Sequence, residues 1–248
     1  MPAPRSLGLP DSIRALLFDL DGVLTRTATV HFAAWKRAFD EFLQRFATGQ
    51  REFSQDDYNQ FVDGKHRADG VRGFLASRGI TLPEGSPDDR PEAATVQAIA
   101  TRKNDMVLRE LDEHGVEIYP GSVDYLRAAK DAGLATAVVT ASANGEKVIA
   151  AGGFDDLIDA RIDGIVAARD GLRGKPEPDT FLAGARALGV APAEAAVFED
   201  ALSGVAAGRA GGFGFVVGVD RVGQADALAG QGADVVVQDL AELRAEDS

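Results

Sequence analysis

The chain has no cysteine in its 248 residues, and only three histidines and one tryptophan. The first absence removes disulfides, thiolate zinc sites and a cysteine nucleophile together, and it fits a reducing compartment. Positive charge is scarce as well. Against 39 Asp and Glu stand 26 Lys and Arg, a formal net charge of −13, so the basic face that nucleic acid or an anionic membrane requires is not available. An anionic substrate must then be met by a local positive site. Nowhere do about 18 uncharged apolar residues run together as a spanning helix needs. The stretch MPAPRSLGLPDSIR holds no apolar run of signal-peptide length. These absences point to a cytoplasmic protein with neither nucleic acid nor membrane as partner. What remains is ordinary globular material, 45% hydrophobic and 26% charged, long enough to bury a sizeable core.

The apolar run RALLFDL ends in two aspartates one residue apart, Asp19 and Asp21, followed directly by Gly22. A short apolar run bounded by a turn reads as a buried parallel strand, and the C-terminal ends of such strands are where open α/β sheets place ligands. Two carboxylates so close repel each other unless a cation lies between them or one keeps a proton. A solvated Asp-x-Asp-Gly turn is the plain alternative.

The period then becomes helical. Phe32, Trp35, Phe39, Phe42, Leu43 and Phe46 recur at three- and four-residue steps as a core stripe. Ser54 is an N-cap for QDDYNQFVD, which stops at Gly64; GVRGFLASRG closes at Gly79, and one long helix ends at Gly115. From there helices and strands alternate: SVDYLRAAKDAG, LATAVVT, NGEKVIAAGG, DTFLAGARALG, AAVFED, ALSGVAAGRAG, FGFVVGV and DVVV. Such alternation implies a parallel sheet covered on both faces. The expected class is therefore α/β, a Rossmann-like parallel-sheet core of residues 1–29 and 115–248 with an inserted all-helical cap domain of residues 30–114.

The later strands also end in groups suited to phosphate. VVT finishes at Thr140 and runs into ASAN, with Ser142 and Asn144, where amides and hydroxyls at a helix start can bind an anion or simply cap the helix. Lys175 sits in RGKPEPDTF, read as a proline-stiffened strand-to-helix junction that holds a point charge. AVFED ends at Glu199 and Asp200, carboxylates that a helix start would also favour. Each signal is weak alone; their order and shared location are not.

Asp19-Leu20-Asp21-Gly22-Val23, Thr140, Lys175 and Glu199-Asp200 together resemble the four motifs of the haloacid dehalogenase superfamily, in that family's order. HFAAWKRAF, DGKHRADGVRGFLASRGI, TRKNDMV, YPG and GKPEPDTF resemble its β-phosphoglucomutase-like subfamily. The resemblance implies Asp19 as nucleophile, Asp21 as general acid and base, and Lys175 and Thr140 as phosphoryl-orienting groups. It implies Mg²⁺ held by Asp19, the backbone carbonyl of Asp21, Glu199 and Asp200. It further implies that Arg67 holds a distal phosphate, with His31, Trp35, Lys103, Asn104, Ser142 and Asn144 lining the substrate site. The implied activity interconverts β-D-glucose 1-phosphate and glucose 6-phosphate through an aspartyl-phosphate and a bisphosphate. A Mg-dependent sugar phosphatase is the alternative, and a catalytically silent binding protein a third reading. The implied partner is a small phosphorylated sugar for a monomeric enzyme linked to a disaccharide phosphorylase. Two positions depart from the family pattern: Arg26 stands where Asp is usual, and Ala143 where Lys or Arg is frequent.

Overall fold

RALLFDL does form the central strand. In the computed structural model, which describes residues 4–244, β1 (Ala15–Phe18) is fully buried. It is followed by α1 (Thr27–Phe46), the short α2 (Gln55–Asp57), α3 (Arg67–Ser77) and α4 (Val96–His114). Then come α5 (Pro120–Asp131), β2 (Ala135–Val139), α6 (Gly145–Gly152), β3 (Ala160–Ile162), α7 (Gly164–Asp170) and α8 (Asp179–Ala187). The chain closes with β4 (Ala195–Glu199), α9 (Leu202–Ala210), β5 (Phe215–Val219), α10 (Ala225–Gly230) and β6 (Val235–Val237). No helix among the described residues is long and apolar enough to cross a membrane.

Two compact units result. One holds the residues up to Arg26 and those from Val116 onward, the other is Thr27–Gly115. The first is a six-stranded sheet in the order β3-β2-β1-β4-β5-β6, parallel throughout. Chain order reverses direction between β1 and β4, the switch at which open parallel sheets leave a crevice beyond their C-terminal ends. Phe18 is in register with Val138 on one side and Phe198 on the other, so Asp19, Thr140 and Glu199 emerge from neighbouring strand ends. Phe18 and Phe198 stack at 4.5 Å beneath them.

The first unit is stitched where the second leaves and returns. Arg26 N donates to Glu117 O at 2.8 Å, Tyr119 N to Leu24 O at 2.9 Å, and Thr25 bridges Ile118 in antiparallel sense. The Arg26 guanidinium pairs with Glu117 at 2.8 Å and lies 4.4 Å from the Tyr119 ring centroid. The unusual arginine thus has partners on the returning segment.

The helical unit packs on aromatics. Trp35, Phe39, Phe42, Phe53 and Phe74 are buried together, with Phe39 and Phe74 rings 4.3 Å apart. The expected stripe runs out at its last member: Phe46 is 46% exposed at the end of α1. Ser54 caps α2 as read, in a reciprocal box with Asp57, but the segment continues as a π-turn over Tyr58–Val62 rather than as one regular helix. Asp57, 2% exposed, accepts both Arg51 nitrogens (2.8 and 2.9 Å) and Arg78 (2.9 Å). Burial alone would push its carboxyl up, but hydrogen bonds from Ser54 and Arg51 and the Arg78 charge hold it below the ordinary aspartate value. A carboxylate held low stabilises fully above its unfolded pKa, and the contribution fades as pH falls through the folded value. Asp57→Asn should therefore cost about 3 kcal/mol at neutral pH by stranding a buried guanidinium. Thermal unfolding of both proteins at about pH 7 and about pH 3 checks this; a gap that fails to narrow at the lower pH would sink it.

Candidate active site

Asp19 follows β1 with its amide bonded to Phe198 O at 2.9 Å, which continues the ladder and fixes its direction. Its carboxylate is buried, 5% exposed, and splits its contacts. Oδ1 accepts from Lys175 Nζ at 2.6 Å and Oδ2 from the Asp21 amide at 2.9 Å. Lys175 Nζ also donates to Glu199 Oε1 at 2.6 Å and to Val139 O at 3.3 Å. Carboxylate oxygens of Asp19, Glu199 and Asp200 all lie within 4.8 Å of one another, every one of them buried.

Two glycines make room for this crowding. Gly22 has φ +103°, open to glycine, and a Cβ there would fall 1.8 Å from Asp200 Oδ2. In the first turn of α9 a Cβ on Gly204 would lie 1.7 Å from Glu199 Oε1. The glycine of ALSG therefore exists for the acid beneath it.

Burial pushes the Asp19 carboxyl up, opposed by the Lys175 ammonium and reinforced by Asp21. Glu199 rises to about 7, again by burial first, with Lys175 pulling down and Asp19 pushing up. For Lys175 burial works against the charge, but Asp19 and Glu199 outweigh it and hold the ammonium protonated, well above its ordinary range. Three clustered carboxylates facing one ammonium leave an excess of negative charge in a buried place. An all-oxygen donor set of this kind suits a hard divalent cation.

Asp21 stands apart from that cluster, partly exposed, and accepts from Thr140 Oγ1 at 3.1 Å. The same hydroxyl accepts from Ser142 N at 3.0 Å, and Ser142 Oγ from Asn144 N at 3.2 Å. ASAN is thus a tight turn whose side chains hold its own amides, and Asn144 opens α6 without a side-chain cap bond. Lys175 proves not to lie at a strand-to-helix junction. A helix, α7, capped by Asp163 and stopped at Gly171, intervenes between β3 and the lysine loop, whose Lys175–Pro176 bond is cis.

The helical unit gathers most of the remaining candidates. Lys103, 2% exposed, donates to His31 Nδ1 at 2.9 Å, and its ammonium lies 5.0 Å from the Trp35 ring centroid. Burial, then the Lys103 and Arg67 charges, hold the imidazole well below its ordinary range, so His31 is a neutral acceptor. Trp35 is also core, 3% exposed. Arg67 opens α3 half-buried, and Asn104 sits partly buried on α4 beside Lys103.

Sequence reasoning missed the loop after β5. Gln224 Nε2 donates to Asp200 O at 3.0 Å, and Arg221 Nε to Gly22 O at 2.8 Å. Neither residue carries a motif; only their place after a strand end could have drawn notice.

A haloacid dehalogenase-like hydrolase family model matches residues 13–212. The chain is 53% identical to a β-phosphoglucomutase of Mycobacterium bovis, over 96% of this chain and 94% of that one. It is 30% identical to hexitol phosphatase A of Escherichia coli over 80% of each. The crystal structure of β-phosphoglucomutase from Clostridium difficile superposes with a TM-score of 0.76 at 26% identity, covering 94% of both chains. With three of its four motifs on adjacent strand ends and the fourth, Lys175, bonded to Asp19 and Glu199 from the loop before α8, the chain belongs to the haloacid dehalogenase-like hydrolase family, in the β-phosphoglucomutase-like subfamily.

Proposed function

We propose that the protein is a cytoplasmic β-phosphoglucomutase working through Asp19. The observation that carries this is the Asp19–Lys175–Glu199–Asp200 cluster at the sheet's switch point, in a chain 53% identical to a mutase. Asp19 Oδ attacks the 1-phosphorus of the sugar bisphosphate, the bond from phosphorus to O1 breaks, Asp21 gives O1 a proton, and glucose 6-phosphate leaves. In the second half the 6-hydroxyl of glucose 1-phosphate attacks the aspartyl-phosphate, Asp21 takes its proton, the Asp19 carboxylate leaves, and the bisphosphate is formed again. Lys175 and Thr140 orient and neutralise the equatorial oxygens, where charge accumulates.

Mg²⁺ fits the donor set; Asp19, Glu199 and Asp200, with the carbonyl of Asp21, would hold it, and it supplies the positive charge that lets a carboxylate approach a phosphoryl group. Removing metal with excess EDTA should abolish turnover, and adding Mg²⁺ back should restore it; full activity in the chelated protein would contradict the assignment.

Arg67 is the candidate for the non-reacting phosphate, since a guanidinium fork suits a dianion in an otherwise acidic chain. Lys103, His31, Trp35 and Asn104 are the candidates for the sugar, with Ser142 and Asn144 contributing from ASAN. A phosphatase is the second reading, favoured by the likeness to hexitol phosphatase A and by Ala143, which leaves ASAN without a cation. Phosphorus NMR of the protein with Mg²⁺, β-glucose 1-phosphate and a trace of glucose 1,6-bisphosphate decides. Glucose 6-phosphate supports the mutase, and inorganic phosphate alone replaces it with the phosphatase.

A further inference from the structure

The turn that carries Asp21 closes on itself through local bonds, and Asp21 N and Thr25 Oγ1 also donate locally, to Asp19 Oδ2 and Leu20 O. Gly22 N donates to Thr25 O at 2.7 Å, and Leu24 and Thr25 amides return to Leu20 O at 3.1 and 3.0 Å. These bonds leave the Gly22 and Val23 carbonyls without a local partner among those described. The carbonyls of Gly22 and Val23 are taken by one distant side chain, Arg221, through Nε at 2.8 Å and a terminal nitrogen at 3.4 Å.

Arg221 is itself held on every side. Its other terminal nitrogen donates to Gln238 O, and its guanidinium lies 3.5 Å from the Tyr119 ring centroid. The side chain is only 14% exposed. Its loop is rigid too: Asp220 Oδ1 accepts the amides of Val222, Gly223 and Gln224 at 2.7–3.2 Å. Gln224 in turn bonds Asp200 O. The loop after β5 thus braces the Asp21 turn with one residue and the Asp200 loop with another. A forked, charged donor fixes two carbonyls in a plane, which a lysine ammonium cannot do.

We propose that Arg221 is a positioning residue for phosphoryl transfer, acting through Asp21 by locking the Gly22–Val23 turn. Asp21 must meet a leaving oxygen and later an attacking hydroxyl at hydrogen-bond distance, so drift of its turn lowers the rate of proton transfer without weakening substrate binding. The proposal rests on the role given to Asp21 above.

The test is a double-mutant cycle in the assay of the preceding section, whose wild-type product decides mutase against phosphatase separately. Arg221→Met should lower kcat by on the order of 10²-fold with KM within about threefold. Arg221→Lys should recover part of the loss. Added to Asp21→Ala, Arg221→Met should cost no more than about threefold further, because its effect passes through the missing carboxyl. Hydrogen exchange should quicken by about tenfold in the Leu20–Thr25 amides and not in β4. A kcat within threefold of wild type, or a loss that multiplies in full with that of Asp21→Ala, overturns the proposal. Should Arg221→Met fail to fold, Arg221→Gln enters the same cycle and is judged by the same two criteria.

Discussion

Asp19→Ala is expected to lose phosphoryl transfer by on the order of 10⁵-fold or more, as removal of a covalent nucleophile does, while the protein stays folded. The second half of that statement follows from the charges. Lys175 is bonded to Glu199 as closely as to Asp19, each at 2.6 Å, so the truncated protein keeps a paired ammonium and sheds one of three crowded carboxylates. Metal-free Asp19→Ala should therefore unfold at the same temperature as wild type or a higher one. This is the pattern of a site strained for its chemistry. Turnover and thermal unfolding of the same preparation check both halves. Activity within about a hundredfold of wild type would remove Asp19 as nucleophile.

Lys175→Met should do the reverse and damage stability as well as rate. The lysine is the only cation hydrogen-bonded to Asp19 or Glu199 among the described contacts, and it is 2% exposed. Its loss leaves two buried carboxylates facing each other, at a cost of about 3–5 kcal/mol. In a chain of this size that is a fall of about 10 °C in the unfolding midpoint. Turnover should drop by on the order of 10³ as one charge opposite the phosphoryl oxygens disappears. Mg²⁺ should restore much of the stability and little of the activity, because it neutralises the carboxylates without replacing the ammonium. Unchanged unfolding in metal-free Lys175→Met would mean that the carboxylates do not depend on the lysine.

The parts of this site legible in the sequence are those written into strand endings. Asp19, Thr140 and Glu199 each close an apolar run, and a buried parallel strand announces itself by such a run. β3 does not, because it is an edge strand of three residues with Arg161 in its middle, and an edge tolerates charge. α7 is seven residues long, too short for an apolar period to repeat, so the lysine loop was placed against the wrong neighbour. The Lys103–His31 contact joins residues 72 apart, and the Arg221 contact to Gly22 joins residues 199 apart. Local patterning carries no trace of either. Phe46 shows the opposite failure: its spacing fits the α1 stripe, but the packed face ends before it.

The stitch at Arg26 and Glu117 bears on what the sheet can carry. Entropically an insertion is a loop, and the cost of tethering its ends grows only as the logarithm of its length, about 0.6 kcal/mol for each doubling. Here the ends are already joined by backbone bonds of the first unit, Arg26 to Glu117 and Tyr119 to Leu24, so the catalytic strands do not register how much chain lies between them. A lineage can lengthen, shorten or rewrite the helices after β1 while Asp19 stays where it is. The junction at Arg26 and Glu117 therefore works as a socket, and the helical unit as an exchangeable fitting.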